Sequence, residues 1–167
     1  MANFDTYFLM KEADAIEYAK VKVPQKNWDA ATMTCREIGD GNLNYVFKVK
    51  DEKGNSVIIK QAGSELRISK DMHLDTDRNR IESEILILQG KLAPGYVPEI
   101  YDYDTVMCAC CMQDLSDHEL MRTAMLEHKI YPKFAEQIST FMAQVLMGTT
   151  DVVMDHQKKK ELQRKFI

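Results

Sequence analysis

Leu43-Asn44-Tyr45-Val46-Phe47-Lys48-Val49-Lys50 is the stretch on which the reading of this chain turns. Successive side chains of a strand point to opposite faces. Tyr45, Phe47 and Val49 therefore share one side, and Asn44, Val46 and Lys48 the other. Asp51-Glu52-Lys53-Gly54-Asn55 follows as a hairpin loop with its own glycine, and Ser56 to Gln61, centred on Val57-Ile58-Ile59, is the returning strand. On the N-terminal side, Thr32 to Ile38 suits a strand with Met33, Cys35 and Ile38 as its apolar members. Gly39-Asp40-Gly41-Asn42 is the turn that joins it to the next. Three strands joined by tight turns predict an antiparallel meander.

Before the meander, Met10 to Val21 places Ala15, Ile16 and Ala19 on one helical face and Glu12, Glu17 and Lys20 on the other. Pro24 ends that helix, and Lys26-Asn27-Trp28-Asp29 connects it onward. After the meander, Ala62 to Thr76 is polar and irregular. A helix is predicted from Asp77, with Ile81, Ile85, Leu88 and Leu92 on one side and Pro94-Gly95 as its stop. Val97 to Tyr103 and Val106 to Met112 read as two further strands. Helical patterns then occupy Asp117 to His128, Lys133 to Met147, and Asp155 to the end. The expected class is α+β: a five-stranded antiparallel sheet with one main helix, followed by helices. The expected division is 1–30 as an N-terminal helix and connection, 31–112 as the sheet domain, and 113–167 as a helical region.

The 167 residues suffice for one domain with a core, and 29% charged with 45% hydrophobic residues is ordinary for a soluble protein. A net charge of -4 supplies no general attraction to nucleic acid or to an anionic membrane, so neither is an expected partner. The N-terminus lacks a basic segment followed by an apolar run, and no apolar stretch approaches the roughly 20 residues that span a bilayer. The expected location is the cytoplasm, with the four cysteines reduced. Cys108, Cys110 and Cys111 lie in the apolar run Val106 to Met112, and no further ligands stand at zinc spacing. They read as a buried strand rather than a metal site. His73, His118, His128 and His156 share no metal spacing and read as surface or helix-end residues; Lys158-Lys159-Lys160 reads as a solvated helix face.

Four features could carry chemistry. Gly39 and Gly41 sit in a hairpin tip, where small residues let backbone N–H groups approach a phosphate. Lys60 ends the apolar strand Val57-Ile58-Ile59, the position at which protein kinases hold a phosphate-contacting lysine. Glu82 and Glu84 on the following helix are candidate partners for its charge. Two positions apart, they point in different directions, so only one can face Lys60. Gln113-Asp114-Leu115-Ser116 follows the fifth strand, where backbone groups of a two-lobed kinase would meet adenine; Asp114 or Ser116 also suits a helix N-cap.

Glu37-Ile38-Gly39-Asp40-Gly41-Asn42-Leu43-Asn44-Tyr45-Val46-Phe47 resembles the signature of 5-methylthioribose kinases, as does Ile58-Ile59-Lys60-Gln61-Ala62. Asp77-Arg78-x-Arg80-Ile81-Glu82, Met112-x-Asp114-Leu115-Ser116, Tyr131-Pro132 and the segment Leu146 to Asp151 fit the same family in order and spacing. That family is similar to the aminoglycoside phosphotransferases and shares their two-lobed, protein-kinase-like fold. The resemblance implies a kinase-like N-lobe followed by the first helices of a C-lobe. It implies transfer of the γ-phosphate of ATP to the 1-hydroxyl of 5-methylthioribose, a step of methionine salvage. By motif, Asn44 and Lys60 should contact ATP, and Gln113, Asp114 and Leu115 should meet adenine. The family motif favours Glu82 as the partner of Lys60, whereas Glu84 fits the protein-kinase spacing Glu-x-x-Ile-Leu.

Two local departures stand out. The family usually has Glu where Gln113 stands, and Ser69-Lys70-Asp71-Met72-His73-Leu74 replaces its Gly-Glu-Ser-Trp-Pro-Leu segment. The resemblance also implies that members are more than twice as long. Their catalytic carboxylates, Mg²⁺ ligands and sugar-binding arginine and aspartate lie in the C-lobe, and no His-Gly-Asp-Leu-His-like loop occurs here. No catalytic or metal-binding residue is therefore expected within these 167 residues, and no turnover from them alone. Two alternatives stand beside this reading. One is a residual nucleotide-binding or interaction module from a truncated gene, whose exposed face where a C-lobe should pack would favour self-association, as in a homodimer, or aggregation. The other is another small-molecule kinase of the aminoglycoside phosphotransferase type, such as a homoserine or choline kinase.

Overall fold

Phe47, Val49, Val57 and Ile59 are at most 1% exposed, and between them Val46, Lys48 and Ile58 are only partly covered. The alternation read from the sequence is thus the alternation of a sheet with one packed face. The computed structural model describes residues 3–38, 43–66 and 69–166. The elements are α1 (Glu12–Lys22), β1 (Thr34–Glu37), β2 (Asn44–Lys50), β3 (Ser56–Ala62), β4 (Glu65–Leu66), β5 (Ser69–His73), α2 (Arg78–Leu92), β6 (Ile100–Asp104), β7 (Ala109–Met112), α3 (Met121–Leu126), α4 (Phe134–Gly148) and α5 (His156–Lys165). A five-stranded sheet has the order β1-β2-β3-β7-β6, antiparallel throughout, which is the expected α+β arrangement. In its central register Val46 stands opposite Lys60, and Lys60 opposite Cys110.

Two compact units divide the chain: Met1–Ile87 with Pro98–Asp114, and Leu88–Val97 with Leu115–Ile167. In the first, Ala15, Tyr18, Ala19 and Val23 pack with Phe47, Val49, Val57, Ile59 and Cys111 into one core, so α1 closes the inner face of the sheet. Gln61 lies fully buried in this core. Its Nε2 donates to the carbonyls of Phe8 (2.8 Å) and Met107 (3.0 Å), and its Oε1 accepts from the N–H of Met10 (2.9 Å). One amide thus ties the N-terminal segment and the β6–β7 turn to β3. Asp104 binds α1 to the same turn. Its carboxylate accepts from Tyr18 (3.2 Å), pairs with Lys22 (2.8 Å) and accepts from the N–H groups of Val106 and Met107.

The structure corrects three expectations. Val106 to Met112 is not one strand. Asp104 draws the N–H groups of Val106 and Met107 into a turn, and Cys108 takes a left-handed φ of 49°, so pairing begins at Ala109. The preceding strand starts at Ile100 rather than Val97, beyond Pro98, which has no N–H to donate. Ala62 to Thr76 is not wholly irregular, because β4 and β5 form a separate two-stranded ladder. That ladder's sequence is largely polar, with no apolar alternation to mark it.

In the second unit Tyr96 stacks on Phe141 with centroids 5.9 Å apart. Leu92 lies so close to Gly148 that a Cβ there would meet its Cδ2 at 2.7 Å. Asp155 caps α5 by accepting from the N–H groups of Gln157 and Lys158. Phe134, Ile138, Met142 and Leu146 form an exposed stripe at four-residue spacing along α4. Among the described residues no helix is long and apolar enough to cross a membrane.

Replacing Gln61 with Leu strands the buried carbonyl of Met107, the part-buried carbonyl of Phe8 and the buried N–H of Met10, so stability should fall by on the order of 3 kcal/mol, read as a lower urea midpoint. A second expectation concerns pH. Burial pushes the Asp104 carboxyl up, but the Lys22 and backbone hydrogen bonds outweigh it and hold the group below its ordinary value. Unfolded aspartate titrates near about 3.9, so the fold favours ionised Asp104. That stabilisation is complete above the unfolded value and disappears as pH falls through the lower folded one. The stability gap between wild type and Asp104→Asn should therefore be largest at neutral pH and shrink toward pH 3, as measured by urea unfolding across that range.

Candidate functional site

Lys60 lies on β3 between the inward-facing Ile59 and Gln61, so its side chain leaves the sheet on the face opposite the α1 core. There its Nζ meets both carboxylate oxygens of Glu82, at 2.6 and 2.7 Å. The two side chains remain 24% and 39% exposed. Asn79, one helical turn before Glu82, donates its Nδ2 to the backbone carbonyl of Lys60 at 2.9 Å. Helix α2 therefore grips Lys60 twice, once by its backbone and once by its ammonium. Buried Ser83 donates to the carbonyl of Asn79 at 2.8 Å. Burial pushes the thiol of Cys110, opposite Lys60, up to about 11, with partial relief from Ser83. A neutral, buried thiol is no nucleophile.

Glu84 goes elsewhere. It accepts from Tyr103 (3.3 Å) and lies 3.4 Å from Arg80, with a side chain 11% exposed. The rotation of about 200° between residues two apart on a helix separates the two glutamates, and the structure gives Lys60 to Glu82.

Asn44 opens β2 opposite Ala62, two register positions from the Val46–Lys60 pair and on the same face. Its Oδ1 accepts from Nε (3.3 Å) and Nη2 (3.1 Å) of Arg78. The same guanidinium donates to the carbonyls of Leu43 (2.8 Å), Gly63 (2.8 Å) and Asp75 (2.6 Å). The sequence reading treated Arg78 only as part of a motif. A physical signal was present: Arg78 and Arg80 open a helix, where the dipole disfavours cations, so both require acceptors of their own. Gly39 and Gly41 lie outside the described residues. On either side of them, the N–H of Ile38 donates to the carbonyl of Val46 at 2.7 Å.

Gln113 donates its backbone N–H to the carbonyl of Glu99 at 2.8 Å, and its Oε1 accepts from the N–H of Glu99 at 3.2 Å. Its own N–H is therefore a sheet donor. Asp114 is not exposed; its carboxylate, 7% accessible, pairs with Lys48 of β2 at 2.7 Å. The carbonyl of Leu115 accepts from the N–H of His118 at 2.9 Å, turning the chain directly after this segment.

No group of three or more His, Cys, Asp or Glu residues among those described is placed to hold a metal ion. His118 pairs with Asp117 and His156 lies near Asp151, both at exposed positions. A cavity of about 630 Å³ belongs to the helical unit and is lined mainly by Leu88, Met154, Leu162 and Phe166. Its one cation, Lys159, pairs with Asp151 at 3.1 Å.

No protein-family model matches the chain. Its sequence is similar to that of a methylthioribose kinase of Yersinia enterocolitica, with 39% identity over 156 residues that cover 92% of this chain and 39% of the relative. A methylthioribose kinase of Bacillus velezensis is 42% identical over 138 residues, covering 81% of this chain and 35% of the relative. One from Yersinia pseudotuberculosis is 38% identical over 160 residues, covering 92% and 38%. This kinship spans Lys60, Glu82, Asn44 and the motifs around them. Across most of its length the chain is thus homologous to the methylthioribose kinases, and it corresponds to a little over a third of the length of those relatives.

Proposed function

We propose that the sheet unit is the ATP-binding part of a methylthioribose kinase, and that the longer protein phosphorylates the 1-hydroxyl of 5-methylthioribose with ATP. The bidentate Lys60–Glu82 pair carries this reading. A partly exposed ion pair adds little to stability, about 0–1 kcal/mol. Its geometry instead suits a ligand: Glu82 holds the ammonium at a fixed place on an open sheet face, where a phosphate oxygen can share it. Asn44 stands two register positions away on the same face and would contact the same phosphates. Gly39 and Gly41 stand shortly before Asn44 in the sequence, and backbone N–H groups there would approach the same phosphates. The segment Gln113, Asp114 and Leu115 would meet the adenine, with Asp114 tethered to Lys48 so that the backbone there is held against the sheet.

ATP would supply the phosphoryl group that moves. The chain's own residues would bind and orient it: Lys60 offsets phosphate charge, and Glu82 keeps the ammonium from swinging into solvent. No cluster among the described residues fits Mg²⁺, so no step is assigned to that ion here. Nor is any described carboxylate assigned to the sugar hydroxyl, the group that phosphoryl transfer must position.

Calorimetric titration of the chain with ATP should show binding, and Lys60→Met should weaken it at least about tenfold, the loss of one charge-assisted contact, while the melting temperature stays near that of wild type. ATP, Mg²⁺ and 5-methylthioribose incubated with the chain should release no ADP above background. Absent ATP binding, or equal binding by Lys60→Met, would sink the nucleotide reading. Substantial ADP release would overturn the assignment of binding alone to these residues.

A further inference from the structure

Arg78 makes five hydrogen bonds to four groups that belong to different parts of the sheet unit: the carbonyls of Leu43, Gly63 and Asp75, and the side-chain oxygen of Asn44. Leu43 immediately precedes β2, Gly63 follows β3, and Asp75 precedes α2. A guanidinium has donors and no acceptor. It therefore decides which way the Asn44 amide faces: the oxygen must point to Arg78, and the NH₂ must point away from it. An unconstrained asparagine can present either end, and its flip is set only by its partners.

We propose that Arg78 is a positioning residue that fixes Asn44 as a hydrogen-bond donor for an anionic ligand, a nucleotide phosphate, on the Lys60 face of the sheet. The inference rests on the nucleotide reading above and deepens it. Asn44 and Val46 share a strand face, and Val46 stands opposite Lys60, so the amide and the ammonium serve the same side. With its oxygen occupied, Asn44 meets a phosphate as a donor without flipping first. Arg78 also sits at the N-terminal end of the helix that carries Glu82. One residue thus sets the donor on β2 and anchors the helix that sets the donor on β3.

The test is a double-mutant cycle on the full chain, with ATP affinity read by calorimetry and folding by circular dichroism. Asn44→Asp keeps an acceptor for Arg78 but replaces the ligand-side donor with negative charge. Its melting temperature should match or exceed that of wild type, and its ATP affinity should fall at least about tenfold. Arg78→Met should also weaken ATP binding about tenfold in the wild-type background and should cost at least about threefold less in an Asn44→Ala background, because the part of its effect that runs through Asn44 is then already gone. A role in folding alone would give equal losses in both backgrounds, which overturns the proposal. Should Arg78→Met fail to fold, Asn44→Asp decides alone, and unchanged ATP affinity there is the overturning result. If wild type binds no ATP, the nucleotide reading and this inference fall together. If wild type binds and Lys60→Met weakens binding, but Arg78→Met does not, only this inference falls.

Discussion

Two neighbouring residues of β3 point in opposite directions, and the sheet unit depends on what each one meets. Gln61 turns inward, where its amide satisfies the N–H of Met10 and the carbonyls of Phe8 and Met107. Lys60 turns outward to Glu82. The inward residue gathers segments remote in sequence against the centre of the sheet. The outward one is exposed enough to serve a ligand. Neither could change places, because a strand sends consecutive side chains to opposite faces and a one-residue slip would bury the ammonium and expose the amide. The pairings of β2 with β3 and of β3 with β7 hold that register.

Helix α2 serves as the second half of the same device. Asn79 fixes its height against β3 by binding the carbonyl of Lys60, and Arg78 fixes its first turn against the starts of β2 and β4. With both contacts in place, Glu82 arrives at the ammonium and Glu84 at Arg80 and Tyr103. Placing a polar pair on the outer face costs the core nothing, since the apolar core lies on the other side, against α1.

Much of this was legible along the chain. The strict alternation of β2 and the apolar centre of β3 reported their strands, and Pro94-Gly95 reported the stop after α2. The motif around Lys60 and Glu82 pointed to the pair that the structure brings together. Other features were silent. The β4–β5 ladder has no apolar face to alternate. The turn at Asp104 hid inside an apolar run, because one carboxylate overrode the strand propensity of Val106 and Met107. Asp114 read as a helix N-cap or part of an adenine-facing segment, and only the folded sheet brings its largely covered carboxylate to Lys48 of β2.

The sequence by itself determined which side chains share a strand face, where the main helix begins and ends, and the kinship with methylthioribose kinases. The first two follow from spacing between near neighbours, and the kinship from the residues themselves; the chain carries all three in any environment. The tertiary structure decided which glutamate serves Lys60, that Gln61 ties the N-terminal segment to the sheet, that α1 belongs to the same core, and which end of the Asn44 amide faces away from Arg78. Each of these joins residues far apart in sequence, such as Lys60 and Glu82 with a separation of 22. Their meeting depends on how a helix is rotated against a sheet, and packing and hydrogen bonding set that rotation only once the chain has folded.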